Sequence, residues 1–284
     1  MTTAELSDTF TIGGDLPVHR LGYGAMQLHG PGVWGEPADR AAAVRIVQAA
    51  VEQGVDFIDT ADSYGPEVSE QIIAEALHTY ADGLVIATKA GLTRQGPGIW
   101  TPVGRPAYLK QQVELSLRHL KVDRIDLIQL HRIDPEVPLA DQLGAFAELK
   151  AEGKVRHIGV SEVSVEELKA AREITEIVSV QNLYNLTNRQ SQDVLDYATA
   201  EGIAFIPWFP VASGNLAAPD SPVADIAREV DATPSQVALA WLLQKSPVIL
   251  PIPGTKSVDH LTENLGAAGV RLSAEDMARL NQLA

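Results

Sequence analysis

The chain has no cysteine among its 284 residues. That excludes disulfides, thiolate nucleophiles and zinc sites built on sulfur, and it suits a reducing compartment. Basic residues are also scarce: 22 Lys and Arg face 37 Asp and Glu, for a formal charge of −15. Phosphate binding needs a basic footprint, so nucleic acid is not expected as a partner, and an anionic membrane surface is disfavoured on the same ground. Long hydrophobic runs are missing as well. VALAWLL at 237–243 is among the longest, far short of the ~20 residues that a spanning helix needs. The opening MTTAELSDTF has neither the basic nor the apolar stretch of a secretory signal, and a cytoplasmic location is expected. No predicted strand is followed by GxGxxG or by a P-loop, so neither usual phosphate fingerprint is present. No metal-ligand cluster and no paired carboxylates stand at the strand ends, which speaks against an unrelated barrel lyase or hydrolase.

What is present is a regular alternation. Hydrophobic residues make up 45% and charged residues 21%, enough for a core of full size. Residues 10–24 read as a β-hairpin with Gly13-Gly14-Asp15 in the turn, running into a first core strand at 20–25. Further strands are expected at 55–59, 83–89, 124–131, 155–161, 177–182, 203–209 and 247–254. Helical periodicity follows each of them, at 38–54, 67–80, 106–120, 138–153, 165–173, 189–202, 222–230 with 234–245, and 257–268. A last helical stretch, SAEDMARLNQLA, ends the chain. Runs such as LVIAT, DLIQL and PVILPI suit strands buried on both faces of a parallel sheet. Eight βα units without a composition break predict one domain over 1–284: a (β/α)8 TIM barrel with an N-terminal β-hairpin and a C-terminal extra helix. An open doubly wound sheet of six or so strands is the alternative.

In a barrel the C-terminal strand ends meet on one face, and chemistry collects there. Strand two ends at Asp59 with Tyr64 just beyond, strand three at Lys89 and strand four at His131. Strand five ends at Ser161-Glu162, strand six at Gln181-Asn182, strand seven carries Trp208, and strand eight leads into Gly254-Thr255-Lys256-Ser257. Singly, each has a plainer explanation: a strand-end Asp often caps a helix, a lysine there is often solvated, and a lone His often sits hydrogen-bonded in a core. Together, an acid, a lysine and an imidazole on three successive strand ends, with a tyrosine beside them, point to one site.

LGYGAMQ (21–27), DFIDTADSYG (56–65), VIATKAG (85–91), DLIQLH (126–131), VRHIGVS (155–161), VQNLYN (180–185) and PIPGTKSVDHLTEN (251–264) resemble the aldo-keto reductase family over nearly the whole chain. The resemblance implies a carbonyl reductase that uses NADPH, with a small-molecule aldehyde or ketone as substrate and no protein partner inferred. It makes Tyr64 the proton donor and Asp59, Lys89 and His131 the rest of a tetrad. It assigns the cofactor to a cleft formed by Gly24, Ala25, Met26, Asp59, Ser161, Glu162, Gln181, Trp208, Phe209, Ile252, Gly254 and Thr255. Val211, Ser213, Gly214 and Leu216 are expected over the pyrophosphate, and Glu263 and Asn264 near the adenine. Lys256 and Ser257 resemble a clamp for the 2′-phosphate, although His260 stands where relatives often carry Arg. Glu162 departs from the more usual Asn: a carboxylate only accepts hydrogen bonds, so it either holds the nicotinamide less well or turns away. Met26, Trp34 and Trp100 are expected in the substrate pocket. YGAMQLHGPGVWGEP is similar to the bacterial branch that includes pyridoxal reductases, which makes pyridoxal a candidate substrate. A module that senses nicotinamide redox state, as the potassium-channel β subunits of this fold partly do, is the non-enzymatic alternative.

Overall fold

A computed structural model describes residues 3–211 and 221–283. Strands β1 (Thr9–Ile12) and β2 (Leu16–His19) form the expected antiparallel hairpin. Gly13 and Gly14 hold its turn at positive φ, where a side chain would be strained. Beyond it the chain alternates: β3 (Tyr23–Gly24), α1 (Arg40–Glu52), β4 (Phe57–Asp59), α2 (Val68–Leu77) and β5 (Val85–Ala90). Next come β6 (Leu92–Gly96), β7 (Ile99–Pro102), α3 (Pro106–Leu120), β8 (Ile125–Leu130), α4 (Leu139–Ala151), β9 (Val155–Ser161) and α5 (Val165–Ile174). The series ends with β10 (Ser179–Gln181), α6 (Gln192–Glu201), β11 (Ala204–Phe205), α7 (Pro222–Glu229), α8 (Pro234–Lys245), α9 (Val258–Gly266) and α10 (Ala274–Asn281).

Local chemistry explains several of these limits. Pro106, Pro222 and Pro234 start α3, α7 and α8, where a missing N–H costs nothing. Reciprocal capping boxes, Ser164 with Glu167, Thr233 with Gln236 and Ser273 with Asp276, fix the starts of α5, α8 and α10.

Seven parallel strands lie in the order β11-β10-β9-β8-β5-β4-β3. The expected eighth strand, 247–254, is not a regular strand, because Pro247, Pro251 and Pro253 remove donors from any ladder. It still closes the ring. Its carbonyls at Pro251 and Pro253 accept from Gly22 and Gly24 on one side, while Leu250 N donates to Phe205 O on the other. Gly24 is required at this seam, since a Cβ there would meet Ile252 O at 2.4 Å. The (β/α)8 barrel is thus the architecture, with the hairpin before it and α10 after it. The strand predicted over 20–25 is only two residues long, and the loop expected after strand three contains a second hairpin, β6–β7.

Side chains alternate along each strand, so residues two apart share the barrel interior. A lower interior layer is apolar: Phe57, Val85, Ala87, Leu127, Ala204 and Leu250 pack in one cluster. Ile12, Leu16 and Val18 of the N-terminal hairpin join that cluster and so stopper the N-terminal end of the barrel. Two residues further along β4, β5 and β8, the inward positions become Asp59, Lys89 and Gln129. The interior changes from apolar to polar at the C-terminal end, and the site is built there.

Candidate active site

Parallel pairing sets the height of each group. Lys89 lies opposite Gln129, and Gln181 opposite Ser161. Asp59 and Lys89 are buried to 2% and 0% exposure and form an ion pair at 2.5 Å. Lys89 Nζ donates to Asp59 Oδ1 and, at 2.8 Å, to Thr60 O. Asp59 Oδ2 accepts from Gln129 Nε2 at 3.0 Å and from Gln181 Nε2 at 2.9 Å. Both carboxylate oxygens are therefore hydrogen-bonded, as a charge removed from water requires. Gly159 makes the space for this layer, because a Cβ there would stand 2.0 Å from Ser179 Oγ and 3.1 Å from Gln129 Cγ.

Tyr64 sits in the turn that leaves β4, its backbone pinned from both sides. Thr60 N donates to Ala87 O, Asp62 N to Lys89 O and Ser69 N to Tyr64 O. The ring is buried, with Lys89 Nζ 5.2 Å from its centroid and the His131 ring centroid 6.0 Å away. Burial pushes the phenol above its ordinary range; Lys89 opposes this, by charge and by hydrogen bonding, and Asp59 adds to it. Burial works against the charge of Lys89, but Asp59 and the phenol outweigh it and leave the ammonium held above its usual range. For His131, burial and then the charges of Lys89, Arg132 and Arg94 push the imidazole well below its usual value, so the ring is neutral. Its Nδ1 lies 3.3 Å from Ser63 Oγ; a hydroxyl donating there leaves the ring proton on Nε2.

Two lobes of one cleft meet above these groups. One, of about 490 Å³, is lined by Gly24, Gln27, Asp59, Phe209, Val211, Ile252 and Gly254. The other, of about 460 Å³, is lined by Val33, Leu92, Trp100, Pro102, His131, Arg132 and Ser161. Met26, Tyr64, Gln181 and Trp208 line both. Of the residues expected at the cofactor, Gly24, Met26, Asp59, Gln181, Trp208, Phe209, Val211, Ile252 and Gly254 line the first lobe, whereas Ser161 lines the second. Ala25 is fully buried behind the wall, where its N–H donates to Asp59 O. Thr255 is buried, and Ser257 caps α9 by accepting from His260 N. Lys256 and His260 are exposed, and Lys256 Nζ is 3.3 Å from His29 O. Glu263 is engaged by α8, accepting from Thr233 Oγ1 at 2.7 Å, and Asn264 is buried beside it. Ser213, Gly214 and Leu216 lie outside the described residues.

The contacts of Glu162 decide the direction of its side chain. Its backbone is left-handed, with φ 54°. Its carboxylate oxygen Oε1 accepts from Trp208 Nε1 and from Leu183 N, both at 2.6 Å. The side chain turns away from the first lobe and holds the indole in position.

Trp100 lines the second lobe, but Trp34 does not; it pairs with Gly65 through a β-bridge. Arg94 joins these parts. Its guanidinium lies 3.6 Å above the Trp100 ring, and its N–H groups donate to the carbonyls of Ile99, Val33, Ser63, Gly32 and Gly96. One side chain therefore ties the β6–β7 hairpin, the loop after β3 and the Tyr64 turn. Arg94→Met should strand those carbonyls, costing about 1–3 kcal/mol of stability in a denaturant titration. It should also raise KM for a flat carbonyl substrate by roughly tenfold, the factor that corresponds to about 1.4 kcal/mol of lost binding. An unchanged KM would mean that Trp100 is held by other means.

Gln129, Arg94 and Arg132 are site residues that the motifs did not single out. Gln129 had a signal, a polar side chain inside the apolar run DLIQL. Arg132 follows His131 directly. Among the described residues no cluster of metal-ligating groups occurs, and no helix is long and apolar enough to cross a membrane.

The first lobe fits a nicotinamide dinucleotide on its own chemistry. It offers an aromatic wall at Trp208 and a Gly-lined floor, and it leads to the capped N-terminus of α9 beside the Lys256 cation, which has no carboxylate partner among the described residues.

Residues 20–284 match the model of the aldo/keto reductase family. An uncharacterized oxidoreductase of Schizosaccharomyces pombe is 52% identical over 95% of this chain and 88% of its own length. The pyridoxine 4-dehydrogenase of Escherichia coli is 45% identical, with 97% of this chain and 98% of that protein covered. Among solved structures, a Klebsiella pneumoniae aldo-keto reductase in complex with NADPH superposes with a TM-score of 0.83 at 27% identity, covering 97% of this chain and 94% of that one.

Proposed function

The chain belongs to the aldo/keto reductase family, and from that premise we propose that it reduces an aldehyde to an alcohol with NADPH, taking pyridoxal as substrate and Tyr64 as proton donor. The observation that carries this reading is the position of Tyr64: it lines both lobes and has a buried ammonium on one side and a neutral imidazole on the other. The NADPH-bound relative and the similarity to a pyridoxine 4-dehydrogenase support the cofactor and the substrate. The whole chain acts as one barrel domain, in the cytoplasm.

When bound in the first lobe, reduced nicotinamide supplies the hydride. The protein supplies the proton and the geometry. A phenol held above its ordinary pKa keeps its proton until the carbonyl oxygen gains charge, and Lys89 stabilises the phenolate that remains. Asp59, fixed by Gln129 and Gln181, positions Lys89 rather than touching substrate. Neutral His131 donates Nε2–H to the same oxygen and orients it.

Mixing the protein with NADPH and pyridoxal, beside a panel of other aldehydes, tests this through the loss of dihydropyridine absorbance. Turnover of pyridoxal is expected; cofactor binding without turnover of any carbonyl would replace the enzyme by a redox sensor. Lys256→Ser should weaken NADPH roughly fivefold relative to NADH, the scale of an exposed ion pair. Equal affinity for both cofactors in the unmodified protein would remove Lys256 from the clamp.

A further inference from the structure

We propose that Arg132 is an oxyanion-binding residue that sets substrate specificity: the second lobe takes a carbonyl compound bearing a carboxylate or phenolate beside its carbonyl group. The inference deepens the reductase reading and rests on it for the place of the carbonyl.

The two arginines at this lobe differ in what they have left to give. Each guanidinium carries five N–H donors in a planar fork. Arg94 spends its fork on five backbone carbonyls. Arg132 lines the cavity and spends only Nη1, on His131 O at 2.7 Å and Ser161 Oγ at 3.2 Å. Its Nε and Nη2 have no protein acceptor among the described residues. Nor does it have a carboxylate within ion-pair distance there, in a chain of net charge −15. Glu162, the acid whose charge it feels, has committed an oxygen to Trp208 and Leu183. A half-buried cation that lines a cavity, with no direct ion pair among the described residues and donors left unspent, is matched by an anion brought in by the ligand. A guanidinium prefers planar oxyanions, which it takes bidentately.

The position of Arg132 limits where that anion sits. It is adjacent to His131 in sequence and bonded to its carbonyl, and its charge acts on the Tyr64 phenol. Carbonyl and oxyanion therefore belong to neighbouring parts of one small molecule. The walls at Val33, Leu92, Trp100 and Pro102 suit a flat apolar body. An α-keto acid on an aromatic ring and an aromatic aldehyde with an ionised ortho hydroxyl both meet this description, and pyridoxal has the second arrangement.

The test compares phenylglyoxylate with its methyl ester, which keeps the skeleton and removes the charge, in the wild type and in Arg132→Met and Arg132→Lys. Salicylaldehyde, ionised at alkaline pH, and 2-methoxybenzaldehyde form the phenolate arm. The acid-to-ester ratio of kcat/KM should fall about 30-fold or more in Arg132→Met, as loss of a charged bidentate contact implies. Arg132→Lys should fall between, since it keeps charge and loses the fork. A ratio unmoved in both arms, whatever the overall activity, overturns the proposal. Binding of benzoate and benzamide to the protein with NADP+, followed by tryptophan fluorescence, decides the case even if neither ketone is reduced. Tighter benzoate binding that disappears in Arg132→Met supports the anion subsite. Equal binding of the two overturns it. Absence of any carbonyl turnover would instead count against the reductase reading alone.

Discussion

Tyr64→Phe should lower kcat for aldehyde reduction by about 10³-fold, within the range that loss of a positioned general acid produces. The substitution removes one oxygen and keeps the ring, so contacts with His131, Trp100 and His29 persist. NADPH affinity, read by fluorescence quenching, should change by less than about twofold, because the hydroxyl contributes to the proton transfer and little to cofactor binding. A Phe variant that keeps more than a tenth of wild-type turnover would take the proton donor away from this position.

Lys89→Met has two separable consequences. The first is on stability. Removing the ammonium leaves Asp59 Oδ1 buried without its partner, and breaking a buried pair from one side costs about 3–5 kcal/mol. For a chain of this length that is a fall in Tm of roughly 10 °C. The pH range follows from the sign of the shift. Lys89 is held above its usual range, so its contribution is complete below the pKa of an unfolded lysine and is lost as pH rises through the folded value. The wild type should thus keep this stabilisation throughout the neutral range, while the variant lacks it at every pH. The second consequence is on chemistry. Without Lys89 nothing of equal strength favours the Tyr64 phenolate, so kcat should fall about as far as in Tyr64→Phe, and the alkaline limb should move upward. Adding Asp59→Asn to Lys89→Met should recover much of the stability and none of the activity. Recovery of both would make the pair purely structural.

How far the sequence reveals this site depends on what each feature needs. Asp59, Lys89 and His131 are legible because the alternation of strands and helices implies a barrel, and a barrel brings strand ends together. Tyr64 is legible because a short turn after β4 has few places to go. Gln129 lies in a strand that reads as apolar, and only the parallel register shows its amide reaching Asp59. The β6–β7 hairpin is hidden by composition. Gly96-Pro97-Gly98 marks a turn, but the flanking residues alternate too weakly to announce strands in a stretch rich in glycine and proline. The role of Arg94 is carried by backbone carbonyls from three segments, and no spacing rule encodes those. Glu162 shows a different limit. Its side-chain chemistry leaves two directions open, and the choice is made by the indole N–H of Trp208, which is 46 residues away in the chain. The irregular eighth stave is legible in hindsight from its prolines, which close a ring through their carbonyls although they cannot donate to it.

A crystal structure of the protein with NADP+ and an unreactive carbonyl ligand would show directly which groups meet the substrate oxygen. The ligand's carbonyl oxygen should lie within about 2.6–3.2 Å of both Tyr64 Oη and the His131 imidazole, with Lys89 still bonded to Asp59. A ligand oxygen bound to other donors, with the Tyr64 hydroxyl turned from it, would rule out Tyr64 as the proton donor.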